Sequence, residues 1–289
     1  MYGKSRLTPW FYVAPALAIL TFFLVYPSIM TIYYSFFNGD LSHFIGLKNY
    51  LYAFTDKTML VAFRNNALWV LFFTSLTVII GLVFAVLVDR VRYEAMAKSI
   101  IFLPMAISMV GASVIWKFVY AYRPLGAPQI GLLNEIVTAF GGKPVGWLIG
   151  KPWNNFFIII VGVWIWTGFC MVVLSAAYKN IPNELLEAAR IDGASEGQVF
   201  FKITLPLLWP TIAVVTTTMI VFVLKIFDFV FVMTNGNFDT EVIANRMYKE
   251  MFHFWNFGRA SMLAVILLIL VIPMMLINIR RFRRQVEIR

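Results

Sequence analysis

The chain of 289 residues has one cysteine, two histidines and few charges, with only 13% of its residues Asp, Glu, Lys or Arg. A single cysteine, Cys170, excludes an internal disulfide. It lies inside an apolar run without metal-ligating neighbours, so it reads as a small core residue. His43 and His253 are far apart in sequence, and neither has metal-ligand spacing. No nucleophile elbow and no paired catalytic carboxylates occur. Gly3-Lys4-Ser5 copies the end of a phosphate-binding loop but lacks the upstream glycine and the preceding strand. Enzyme chemistry is therefore not expected in this chain, nor is a cofactor or metal bound to it. The scarcity of charge excludes a further class. A soluble domain has about a quarter charged residues, and half that number cannot cover a globular surface.

What is present is apolar: 61% hydrophobic residues and a mean hydropathy of +0.81. The expected fold class is an all-α membrane protein with six transmembrane helices and a cytoplasmic loop. The spans are read at Leu7–Phe37, Asn66–Val88, Ser99–Tyr122, Asn154–Tyr178, Pro206–Thr234 and Ala260–Ile279. The first is too long for a signal-peptide core and has no cleavage pattern after it, so it is expected to remain, bent at Pro15 or Pro27. The chain divides into an N-terminal segment with the first span (1–60), a transmembrane core (61–280) and a basic tail (281–289).

The net charge of +10 does not mark a nucleic-acid binder, because no interleaved basic and aromatic stripe accompanies it. It marks orientation instead. The connections 1–9, 89–98, 179–205 and 280–289 hold 13 Lys and Arg in 56 residues, whereas 38–64, 123–153 and 235–259 hold nine in 83. Cationic loops stay inside, so both termini and the 179–205 insert are expected in the cytoplasm. Trp10, Trp69, Trp147, Trp153, Trp209 and Trp255 lie near expected span ends, where indoles favour the interface. Leu47–Phe54 and Ile243–Phe252 read as small surface elements. In the second, positions 243, 247, 248, 251 and 252 fit one apolar helix face.

The insert has internal order. Pro182 suits a first helical turn, with Asn183 as a nearby cap. Leu185, Leu186, Ala188 and Ala189 form an apolar face beside Glu184, Glu187 and Arg190. Gly193 marks a turn, and Ser195 with Gln198 makes an S-x-x-Q capping box for a second helix. The pattern predicts two short helices at an angle. They form either a joint for another surface or an amphipathic loop resting on headgroups.

Glu187-Ala188-Ala189-x-x-x-Gly193, nine residues, then Ile203-x-Leu205-Pro206 resembles the EAA signature of type I importer permeases that work with a binding protein and an ATP-binding-cassette (ABC) ATPase. Ile181-Pro182, Arg190-Ile191-Asp192-Gly193-Ala194, Phe102-Leu103-Pro104 and Val232-Met233-Thr234-Asn235-Gly236 are similar to the sugar-importer branch. The resemblance covers about residues 10–280. It implies that Glu187, Ala188, Ala189, Asp192 and Gly193 shape a coupling joint docked on the ATPase. It also implies a bacterial inner-membrane complex with a homologous second permease, an ATPase dimer that holds ATP and Mg, and a periplasmic or lipid-anchored solute-binding protein. The solute would be sugar-like, such as an oligosaccharide, a glucoside-type compatible solute or a polyol.

Lys225 and Asp228 are ionisable groups inside an expected span, and a spacing of three puts them on one helix face within reach of an ion pair. They line the solute path or pair between helices for packing. Trp164 and Trp166, with Gly168, form a second candidate cluster, since indole stacks on sugar rings and donates a hydrogen bond. Lys117, near a span end, is expected to snorkel outward. Membrane lipid is the remaining partner. The other transport class is a carrier or channel without an ATPase, which gives no reason for the EAA spacing in a cytoplasmic loop.

Overall fold

The computed structural model of the chain describes residues 8–89 and 91–287. Among the described residues the structure is nearly all helical, with one isolated bridge between Phe37 and Phe44. Five helices are long and apolar enough to cross a membrane, and a sixth span is present when one sharply bent pair is counted as a unit. The number agrees with the sequence, but the ends and the continuity of the helices differ.

The first span runs through α1 (Thr8–Leu20), a π turn (Thr21–Val25) and α2 (Tyr26–Tyr34). Neither proline breaks it: Trp10–Tyr34 is one span. The wide turn precedes Pro27, whose missing N–H and bulky ring disturb a regular ladder. Helix α3 (Lys48–Thr55) is the first of the two small elements read from sequence. Asp56 then caps α4 (Lys57–Leu68), accepting from the Thr58 and Met59 N–H groups at 3.0 and 3.1 Å. A π turn (Trp69–Phe73) joins α4 to α5 (Thr74–Val88), so the second span begins at Lys57 rather than Asn66. Trp69, expected at an interface, is fully buried because it falls in the middle of that longer helix.

The third span is not the continuous helix expected over Ser99–Tyr122. It consists of α6 (Glu94–Phe102) with a 3-10 turn through Ala106, and α7 (Met109–Val119), bent by 95°. Ile107 and Ser108 are extended, and the Ser108 hydroxyl accepts the Gly111 N–H at 3.0 Å, which caps α7 anew. Pro104 weakens the ladder just before that point. Helix α8 (Leu132–Ala139) lies in the following loop, and α9 (Asn154–Lys179) is the fourth span as read.

After α10 (Asn183–Ile191), the helix of the fifth span starts at α11 (Glu196–Val199), ten residues before Pro206. It passes a π turn (Phe200–Thr204) and continues as α12 (Leu205–Leu224). It stops at Lys225, and a separate α13 (Asp228–Met233) follows. Helix α14 (Ile243–Phe252) matches its expected bounds but does not lie on the surface. Ile243, Ala244, Asn245 and Glu250 are buried, while Met251 and Phe252 are exposed, because α14 packs Ile243, Ala244 and Met247 against Met262, Leu263 and Ile266 of α15 (Phe257–Glu287). Lys4, Arg6, Arg90 and Arg289, used above for orientation, lie outside the described residues, as do the side chains of 281–287.

Spans two and four form the tightest pair. A Cβ on Gly81 would sit 2.6 Å from the Cys170 Cβ, and one on Gly162 would meet the Phe73 and Trp69 rings at 3.1 to 3.2 Å. Residue 73 thus lies level with 162, and 81 with 170, so the helices run parallel in register. Cys170 is fully buried there, as expected.

Side-chain amides of spans two and four hold the segment 238–241. Asn65 donates to the carbonyls of Asp239 (2.7 Å) and Glu241 (2.8 Å), and Asn154 donates to that of Phe238 (2.8 Å). Asn66 donates to the Leu224 carbonyl at 3.1 Å and accepts the Ile243 N–H at 2.9 Å. Buried Glu241 pairs with Lys249 at 2.8 Å. These bonds hold a segment in which Asn235, Phe238 and Asp239 have positive φ.

Replacing Gly81 with Val forces α5 and α9 apart. The expected loss is about 1–3 kcal/mol, as for other overpacked cores. It should appear as a lower unfolding midpoint of the purified protein, with Gly81→Ala intermediate between the two.

Candidate functional site

The first candidate is the 179–205 insert. Pro182, rather than Asn183, is the N-cap of α10, and no side chain caps that end. At the other end Asp192 follows the helix and Gly193 adopts φ +84°, a left-handed value that glycine tolerates without strain. The Ala194 N–H closes the turn on the Ala189 carbonyl at 3.0 Å. Ser195 and Gln198 make the capping box read from sequence: Ser195 N–H donates to Gln198 Oε1 (2.8 Å) and Gln198 N–H to Ser195 Oγ (3.3 Å). Arg190 spans the bend to Glu196 at 2.6 Å, and this bond raises the guanidinium pKa above its ordinary value. The result is a rigid elbow whose second arm is the start of the fifth span.

The apolar face expected from Leu185, Leu186, Ala188 and Ala189 divides in two. Leu186 is buried and Ala189 half-buried, with both turned inward to Ile181 and Val199. Leu185, Ala188 and Ile191 are exposed, Ile191 to 85%. Glu187, Asp192 and Gly193 are exposed beside them. A three-residue period from 185 to 191 was readable, but Ile191 was passed over because it falls within the polar Arg190–Asp192 run. The protein therefore presents an apolar stripe rimmed by carboxylates, and none of the described residues covers it.

The second candidate lies within the spans. Lys225 and Asp228 are not on one helix face: α12 ends between Leu224 and Lys225, and Asp228 opens α13. Lys225 is exposed, Asp228 half-buried, and no ion pair joins them among the described residues. The chain between them turns, with the Lys225 and Ile226 N–H groups donating back to the Phe222 and Val223 carbonyls at 3.2 and 3.1 Å. Trp164 and Trp166 do not cluster either. Two positions apart on a helix, they face opposite neighbours. Trp164 meets Trp116 of α7 edge-on at 5.6 Å, whereas Trp166 lies 4.3 Å from Phe222 of α12. Gly168 packs under the α6 backbone, where a Cβ would meet Ile101 O and Phe102 Cα at 2.7 Å.

The structure does bring together a run of rings. From Trp166 it passes to Phe222, then to Phe73 (5.7 Å), Trp69 (6.0 Å) and Phe229 (6.1 Å). The indole N–H groups of Trp69 and Trp166 are buried and have no acceptor among the described residues. In this run Phe229 is fully buried, and Phe222 is the ring that touches Trp166. A separate cavity of about 600 Å³, not anticipated from sequence, lies at the outer end of α7 between Lys117, Tyr120, Tyr122 and Thr234. Lys117 is exposed there and donates to the Val232 carbonyl at 3.2 Å. No group of three His, Cys, Asp or Glu side chains suited to a metal occurs among the described residues.

Comparison with known proteins places this geometry. Residues 77–282 match the family described as binding-protein-dependent transport system inner membrane component. The chain is 62% identical over 278 residues to the osmoprotective compounds uptake permease protein GgtC of Synechocystis sp., covering 96% of this chain and 100% of that protein. It is 48% identical to the alpha-glucoside transport system permease protein AglF of Rhizobium meliloti, over 97% and 84% of the two chains. Among solved structures, a chain of a bacterial alginate ABC transporter in complex with an alginate pentasaccharide-bound periplasmic protein superposes with a TM-score of 0.79. That chain is 21% identical, and the match covers 96% of this chain and 95% of the other. Sequence and fold converge on one assignment: this chain belongs to the membrane-spanning permeases of binding-protein-dependent ABC importers.

Proposed function

We propose that the chain forms, with a homologous second permease, the path for a glucoside-type solute, and that a cytoplasmic ATPase dimer drives it through the α10 elbow. The observation that carries the reading is mechanical. The exposed stripe Leu185–Ala188–Ile191 sits on a helix locked by Gly193, the Ser195 box and the Arg190–Glu196 pair to a second helix that runs unbroken into α12. A partner that grips the stripe therefore moves the fifth span as a lever. Glu187, Ala188, Ala189, Asp192 and Gly193 are the joint. Glu187 and Asp192 offer charge to the partner, Ala188 permits close approach, and Ala189 and Gly193 set the elbow. ATP and Mg belong to the ATPase.

The relatives named for osmoprotective compounds and for alpha-glucosides support a small sugar conjugate as the solute. A periplasmic or lipid-anchored binding protein would deliver it to the outer face. The cationic loops support cytoplasmic termini and a cytoplasmic elbow, in a bacterial inner membrane. Within the path, Trp166 has the strongest chemical case, since its buried N–H is an unused donor beside the Phe222 ring. Trp164, Lys225 and Asp228 stand on different faces and would act at different depths.

Three outcomes test this reading. Glu187→Lys reverses the charge at the joint and should cut uptake by the reconstituted complex about tenfold or more, as for loss of a coupling energy between sites, while ATP hydrolysis continues. Normal uptake would remove Glu187 from the joint. A cysteine placed at Ser195 should react with an impermeant maleimide only in inside-out vesicles. Labelling in right-side-out cells would invert the topology. Trp166→Phe keeps the ring contact and deletes the donor, so the half-saturating solute concentration should rise about five- to tenfold if one hydrogen bond is lost. An unchanged value would make Trp166 a packing residue.

A further inference from the structure

Helix α6 is the inner half of the broken third span, and the 95° bend separates it from α7. Its position is fixed against α9 at three levels. Ile101 and Phe102 lie on Gly168 so closely that no Cβ fits. One turn back, Lys98 donates to the buried Ser175 hydroxyl. At the start of α6, Glu94 pairs with Lys179 at 2.6 Å. The pairing 102 with 168, 98 with 175 and 94 with 179 lays α6 antiparallel along the last three turns of α9. Those turns are the stem from which the 179–205 insert departs.

The charges at this stem form a closed set. Lys98 also reaches Glu94 and, at 3.5 Å, Asp89, while Lys179 reaches Asp89 at 3.4 Å. Two carboxylates thus share two ammonium groups, and Asp89 and Lys98 are about four-fifths covered. Asp89 follows the second span, so three spans meet in one cluster. A lone exposed pair contributes little, but a network anchored on a buried hydroxyl restricts where each member can go. A polar cavity of about 500 Å³ separates the cluster from the elbow, with Asp89 and Lys179 on one wall and Arg190 and Glu196 on the other.

We propose that Asp89, Glu94, Lys98 and Lys179 form an ionic clasp that makes α6 and the stem of the insert move as one body. Displacement of the elbow then reaches the broken third span as well as the fifth. The proposal rests on the ATPase-coupled reading above and names positioning residues for it. Without the clasp, α6 keeps the apolar contacts of Ile101 and Phe102 around Gly168 but loses its ties to the end of α9.

The test uses the reconstituted complex with its ATPase and binding protein. Glu94→Gln and Lys179→Met should each lower solute transported per ATP about fivefold or more, the lower range for coupling between sites. Lys179→Arg should retain the wild-type ratio. The double variant should be no worse than either single one, since both break the same contact. In a Glu94→Cys, Lys179→Cys protein, a short bis-maleimide tether should preserve transport and restore the ratio. Buried Cys170 gives little background in that experiment. Wild-type ratios in Glu94→Gln and Lys179→Met, or a tether that blocks transport, would overturn the clasp. A wild-type complex without solute-stimulated ATP hydrolysis would instead overturn the coupling on which it rests.

Discussion

Backbone polar groups at membrane depth must be bonded within the protein, and this constraint governs the two places where spans are broken. The fifth span stops at Leu224, and α14 begins at Ile243. One buried side chain serves both ends: Asn66 gives its N–H to the Leu224 carbonyl and its oxygen to the Ile243 N–H. An unbonded group in such surroundings costs several kcal/mol, so without Asn66 the break would be unfavourable and a straight helix preferred. Asn65, Asn154 and Asn155 extend the same service to the segment 238–241. At the third span Ser108 does the corresponding work with a cap. The irregular parts of the fold therefore exist because specific polar side chains, one within the break and the others on neighbouring spans, bond the freed backbone.

This explains what could be read from the sequence and what could not. Apolar runs register in composition, so the number of spans and their approximate centres were legible. The elbow was legible in more detail because its signals are local: Gly193 for the turn, and Ser195 with Gln198 for the box. The breaks were not. Val223 to Phe231 is as apolar as a continuous helix, apart from Lys225 and Asp228, and the amide that ends it comes from residue 66. Two charges at a spacing of three therefore resembled a helical pair, although they flank an interruption. Trp69 illustrates the same limit. An indole near an expected span end suggests an interface, but its burial against Gly162 is decided by a helix far away in sequence.

The breaks also divide the protein mechanically. The pieces α7 and α13 pack on each other, and Lys117 bonds the Val232 carbonyl across that contact. On the far side of the breaks, α6 and the start of α12 are tied to the two stems of the elbow, one through the Glu94–Lys179 cluster and one through continuous helix. A push on the elbow thus has two routes, and both end at a break. Helix α9 passes through the bundle without interruption, and α5 runs parallel beside it in tight contact. In the coupled reading proposed above, that pair is the frame against which α6 and α12 turn. The ring run from Trp166 to Phe229 lies along the frame and reaches α12 on one side and α13 on the other. Phe222 is supplied by α12, the helix that continues the elbow. A solute held at Trp166 would therefore sense the elbow through Phe222 on α12, the ring directly opposite it.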